Sequence, residues 1–251
     1  MQLRTWALDC LYVNWALPRS AAPALPPPLR YEVHTWRGED YIFASALLFH
    51  LSGVRLDSLP FLRLSHPQMN CRVYVIDDEG VPSVLFRRMV VPRWVVPVSR
   101  WLGRQPASSG RFRYPRPSDE PRRDSWSWSI RQQRRLELAG KLASPKVCVG
   151  PDLGSWQATL DYFRQRPRGY VLWKEQLRPM QTSRVSLEVW PLAVEVADIG
   201  LVAECFSDVA PTVWQAPHSA WLCPEIPFRF ELSELRALTM PRRRVVATES
   251  F

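Results

Sequence analysis

MNCRVYVIDDEG, residues 69–80, alternates in the manner of a strand and carries an arginine at its centre. Side chains alternate across a strand, so Asn70, Arg72 and Tyr74 share one face, and Cys71, Val73 and Val75 share the other. The second face is apolar and must be buried. DDEGVP (77–82) then reads as a turn, and SVLFRRMVV (83–91) as the returning strand of a hairpin. On the residues alone, the polar face meets solvent and Arg72 is a surface residue. The alternative is that this face lines the inside of a curled sheet, where a guanidinium fork and an amide hold a carboxylate or phosphate.

Working outward, YEVHTW (31–36) and YIFASALLFHL (41–51) flank the polar break RGED and predict a second hairpin. LYVNWAL (11–17) is a strand that runs into the proline-rich connector SAAPALPPPLR (20–30). RFRY (111–114), WSWSI (126–130), YVLWKE (170–175), RVSLEVW (184–190) and AVEVADI (193–199) also alternate. Two stretches have helical spacing instead. In PRWVVPVSRWLGRQ (92–105), Trp94, Val95, Val98, Trp101 and Leu102 form an apolar face expected to dock on the sheet, with Pro97 kinking or delaying the helix. In LGSWQATLDYFRQRP (153–167), Leu153, Trp156, Leu160 and Phe163 share a face, Ser155 is the N-cap and Pro167 follows the end. The pattern is β-rich α+β, expected to form one domain over residues 1–240, with a basic, mobile tail at 241–251.

Other features exclude classes of chemistry. No G-x-G-x-x-G, P-loop or G-x-S-x-G motif occurs, so nothing supports a dinucleotide site, a P-loop or a hydrolase elbow. Five cysteines without a C-x-x-C pair, and four scattered histidines, suggest neither a disulfide framework nor a metal centre; no metal and no cofactor is expected. No apolar run is long enough to span a bilayer, and the cysteine usage fits a reducing cytoplasm. The net charge of +9 is concentrated: residues 87–135 hold thirteen Arg against Asp119, Glu120 and Asp124, or +10. Arginine and aromatic residues alternate there as they do in single-strand nucleic-acid platforms. Tryptophan is spread along the whole chain, however, and Trp126, Trp128 and Ile130 would share a core face, which argues against nucleic acid as the partner.

NCRVYV followed by DDEGVPSVLF resembles the core of the YqjF-like proteins of the acetoacetate-decarboxylase-like superfamily. LYVNWALP, LRYEVHTWRGEDYIFASALLFHLSGVR and DYFRQRPRGYVLW agree in order and spacing, so the resemblance spans residues 10–235. It implies a curved, barrel-like antiparallel sheet enclosing a cavity, with a few helices packed outside. It also favours the inward reading of Arg72, in which Asn70, Arg72 and Tyr74 are either the ligand-binding residues of a pocket or a buried network that fixes the sheet. A buried guanidinium needs partners, and Glu32, Glu188, Glu195 and Glu204 are the strand carboxylates available.

Two departures bear on activity. Gln68 stands where related proteins often carry Glu, and FRRMVV replaces an F-F-S-L-D-A-like strand end. Acetoacetate decarboxylase uses a lysine activated beside another cation to form a Schiff base with its ketoacid. The corresponding stretch here, VPRWVVPVSRWLGRQPASSGRF, contains no lysine, and the chain has only Lys141, Lys146 and Lys174. Arginine cannot lose a proton to attack a carbonyl. The expectation is therefore a binder of a small anionic or carbonyl-bearing molecule without Schiff-base chemistry. Two alternatives stand beside it: an acid–base enzyme using Glu188 or Glu195 next to Arg72, and a nucleic-acid or interaction module using segment 87–135.

Overall fold

The computed structural model describes residues 2–56, 59–101, 104–115, 125–145, 150–184, 188–231 and 238–239. Its strands are β1 (Gln2–Pro18), β2 (Arg30–Tyr31), β3 (His34–Trp36), β4 (Glu39–Leu56), β5 (Leu59–Ile76), β6 (Pro82–Val91), β7 (Ala107–Ser109) and β8 (Arg111–Arg113). These are followed by β9 (Ser125–Arg131), β10 (Arg135–Leu142), β11 (Arg168–Trp173), β12 (Gln176–Arg184), β13 (Trp190–Asp198), β14 (Ser219–Glu231) and β15 (Leu238–Thr239). The helices are α1 (Val95–Trp101), α2 (Trp156–Arg164), α3 (Gly200–Ala203) and α4 (Pro211–Gln215).

All fifteen strands belong to one sheet, whose main path runs β15-β12-β11-β6-β5-β4-β1-β14-β13-β10-β9-β8. Most pairings are antiparallel; β11 pairs with β6, and β6 with β7, in parallel. β12 also meets β14 through Gln181–Arg184 and Phe228–Glu231, which rolls the middle of the sheet round, while the end strands β15 and β8 do not pair with each other. The expected curvature is present, but the sheet is not closed.

The two predicted hairpins form. The first turns at Arg37 and Gly38, whose φ angles of 53° and 81° favour glycine at the second position, so β4 begins within the expected polar break. The second turns through Asp77–Val81. Asp77 builds that turn: its Oδ1 accepts from the Glu79 and Val81 amides. Its Oδ2 takes Arg168 Nη1 at 3.0 Å and Tyr170 Oη at 2.9 Å, fastening β11 to the hairpin.

The sheet buries apolar side chains on both faces. One face carries Val13, Ala44, Cys71, Val73 and Leu222, covered by Trp126, Trp128 and Ile130 of β9 and by Leu201 and Trp214 from α3 and α4. The other carries Tyr12, Phe43, Tyr74 and Trp221 beneath Leu160 and Phe163 of α2. As expected, Ser155 caps α2, its hydroxyl accepting from the Ala158 amide at 3.0 Å.

α1 departs from expectation. Pro97 is tolerated because it lies in the first turn, where amides have no intrahelical partner. Only Val95 of the anticipated face is buried: Trp94 and Trp101 are 53% and 80% exposed, and Leu102 lies outside the described residues. The tail at 241–251 is also outside them, as is most of the interior of RVSLEVW.

Candidate functional site

Arg72 is 2% exposed, on the sheet face covered by α2. Its Nε and Nη2 donate to Tyr74 Oη at 3.2 and 2.9 Å, and Nη2 also donates to the Phe163 carbonyl at 3.0 Å. Nη1 makes no hydrogen bond to a described residue. Tyr12 and Tyr74 present their rings 5.4 and 5.2 Å from the guanidinium carbon. Burial opposes the charge, yet the neighbouring Tyr74 and Tyr12 outweigh it and raise the pKa of Arg72.

From Tyr74 the polar contacts continue across three more strands. Tyr74 Oη accepts from Arg72, so its proton goes to Ser45 Oγ, 2.7 Å away on β4. Ser45 donates to Asn14 Oδ1 on β1, and Asn14 Nδ2 donates to Ser219 Oγ at 3.1 Å on β14. Ser219 Oγ lies 3.1 Å from His218 Nδ1, and His218 Nε2 lies 2.9 Å from the Pro151 carbonyl. That carbonyl can only accept, so Nε2 carries the proton and Nδ1 accepts from Ser219. Burial holds the His218 pKa below its ordinary value, keeping the ring neutral.

Asn70 shares this face of β5. Its Oδ1 accepts from Gln68 Nε2 at 2.9 Å, so a neutral amide occupies the position where a Glu was the expected residue. Asn70 and Arg72 are aligned two residues apart without bonding to each other. None of the four candidate carboxylates reaches Arg72. Glu32 pairs with Arg166 at 2.6 Å and Glu204 with Arg88 at 2.6 Å. Glu188 is exposed and accepts from the Trp190 indole at 2.7 Å. Glu195 is exposed in a separate cleft of about 640 Å³, with Arg113, Tyr114, Trp128 and Glu137. The reason is topological: Glu188 and Glu195 lie in or next to β13, which is separated from β5 by β14, β1 and β4.

Sequence reasoning missed the seryl and histidyl members of this network. Asn14, Ser45 and Ser219 each interrupt an apolar strand, which is the available signal, whereas their meeting depends on the β4-β1-β14 register. Lys174 sits exposed in the β11–β12 turn with φ 48°, Lys141 is exposed on β10, and Lys146 lies outside the described residues. Among the described residues no cluster of three or more His, Cys, Asp or Glu could hold a metal, and no helix is long and apolar enough to cross a membrane.

The fold has solved counterparts. The enduracididine biosynthesis enzyme MppR with HEPES buffer bound aligns with a TM-score of 0.63 at 13% identity, over 95% of this chain and 88% of that one. The same enzyme complexed with pyruvate aligns at 0.59, with 13% identity over 92% and 88%. An acetoacetate decarboxylase-like enzyme from Sphingomonas wittichii RW1 aligns at 0.57, with 17% identity over 91% and 90%. At these identities the likeness is one of fold: a curved acetoacetate-decarboxylase-like sheet. No curated protein matches the sequence. The model of DUF2071, described as an uncharacterized conserved protein, matches residues 4–227, nearly the whole chain, and the protein therefore belongs to the DUF2071 family.

Proposed function

We propose that this protein binds a small anionic or carbonyl-bearing molecule without covalent lysine chemistry, with Arg72 as its anchor, Asn70 orienting it and Tyr74 holding the guanidinium in place. One observation carries the reading: Arg72 is a buried cation with no carboxylate partner among the described residues, and its Nη1 makes no hydrogen bond to any of them. A small carboxylate supplies the missing countercharge and accepts from that nitrogen. The exposed positions of Lys141 and Lys174 support non-covalent binding, because a Schiff-base lysine is activated by desolvation or an adjacent cation. A neighbour of the same fold is known as a pyruvate complex, which makes small ketoacids the first compounds to try.

The test is calorimetric titration of wild type and Arg72→Lys with pyruvate and simple carboxylates, with borohydride reduction of the pyruvate mixture read by intact mass. Arg72→Lys keeps the charge but removes the fork, so binding should weaken while the protein remains folded. The reduced mixture should show no added mass. Equal affinity in both proteins, or no binding to wild type, removes Arg72 as the anchor; a borohydride-trapped adduct reinstates lysine chemistry.

A further inference from the structure

A second cleft, of about 860 Å³, lies between β6, α1, β7 and the β9–β10 turn. Arg87, Arg88, Arg93, Arg100 and Arg134 line it, against Glu204 as the one carboxylate among the described residues of its wall. Arg87 and Arg88 are consecutive on β6 and would ordinarily point to opposite faces. The register resolves this: Cys71 faces Arg88 and Arg72 faces Phe86, so Arg87 is the extra residue of a β-bulge. Such bulges re-aim side chains, and here both arginines line one cleft.

The five cations divide into two kinds. Arg88 is held by the Leu201 carbonyl and Glu204, and Arg100 Nε donates to the Ala107 carbonyl at 3.2 Å. Arg87, Arg93 and Arg134 have no ion pair among the described residues. A concave wall of like charge concentrates the field and draws in multivalent anions. One carboxylate satisfies one guanidinium fork, whereas several unpaired forks call for an anion with more oxygens and more charge.

We propose that this cleft is a binding site for a compact, multiply charged phosphate compound, separate from the Arg72 network. A nucleic-acid strand fits less well, since the described lining residues include no aromatic side chain to stack a base.

The experiment is titration of the full chain with inorganic triphosphate at low and physiological salt, for wild type, Arg93→Gln/Arg134→Gln and Arg72→Lys. Both residues of the double variant are exposed, so its fold should be retained. Wild type is expected to bind with salt-dependent affinity, the double variant about tenfold or more weakly, and Arg72→Lys like wild type. The proposal is overturned if triphosphate does not bind or binds the double variant equally well. It is also overturned if a single-stranded oligonucleotide binds and triphosphate fails to displace it. Loss of triphosphate binding in Arg72→Lys would instead merge the two sites.

Discussion

Arg72 Nη2 donates to the carbonyl of Phe163, the penultimate residue of α2, joining a strand to the negative end of a helix 91 residues away. The last carbonyls of a helix lack intrahelical partners and carry partial negative charge, so a cation placed there is favourable. The buried guanidinium is thus held by a helix end and two tyrosine rings rather than by an acid.

Truncating that side chain leaves the Phe163 carbonyl without this donor and opens a cavity beneath α2. Arg72→Ala should cost about 2–4 kcal/mol in urea unfolding. A loss below about 1 kcal/mol would show that the helix end finds water or another donor at little cost.

Asp77 holds both the hairpin turn and β11. Burial pushes its pKa up, but the Val81 amide, Tyr170 and Arg168 outweigh that and leave it below the ordinary value. Tyr170 in turn is pushed up to about 12, first by burial and then by Asp77. Asp77→Ala should destabilise the fold by about 2–4 kcal/mol, with faster amide exchange across Arg168–Trp173 than in the rest of the sheet. Uniform acceleration across all strands would contradict a local fastening role.

The pH dependence has a definite sign. His34, His50, His66 and His218 all have pKa values lowered from 6.5, in each case chiefly by burial. The unfolded chain therefore takes up protons at a pH where the folded rings stay neutral. Their stabilising contribution is complete above about pH 6.5 and is lost as pH falls through the lower, folded values. Urea midpoints measured from about pH 8 down to about pH 5.5 should fall, and His218→Gln should flatten the slope. A midpoint that rises towards acid refutes this.

The cysteines give an independent view of the arginine cleft. Cys71 and Cys205 share a hydrogen bond, which together with burial drives Cys71 up. Cys205 is lowered, first by that bond and then, despite burial, by Arg88 and Arg87. In a Cys148→Ser background, iodoacetamide should modify Cys205 before the buried Cys10, Cys71 and Cys223. Triphosphate should slow that reaction by screening the two arginines. First modification at Cys10 or Cys223, read by peptide mass, would contradict it.

Local patterns were legible in the sequence because they depend on near neighbours. The alternation at 70–75 and 126–130 sorted the side chains onto the correct faces, and Ser155 marked a helix start. Three features were not legible. The acceptor for Arg72 belongs to a distant helix, so strand carboxylates looked like its natural partners. The bulge at Arg87 changes a two-residue period by one residue, and only the partner strand reveals it. Trp101 of α1 and Trp94 just before it read as part of a docking face because helical spacing shows which residues align but not what lies opposite.

The first strand lies between β4 and β14, and it pairs with β14 through twelve registered residues from Gln2 to Asn14. During synthesis, an interior strand made well before its partner must wait for residues 219–231 before its second edge is covered. Until then its amides and apolar side chains are open to other chains. The sheet cannot be completed before residues 219–231 are made, so a ribosome stalled before residue 219 would release a chain with a sticky edge.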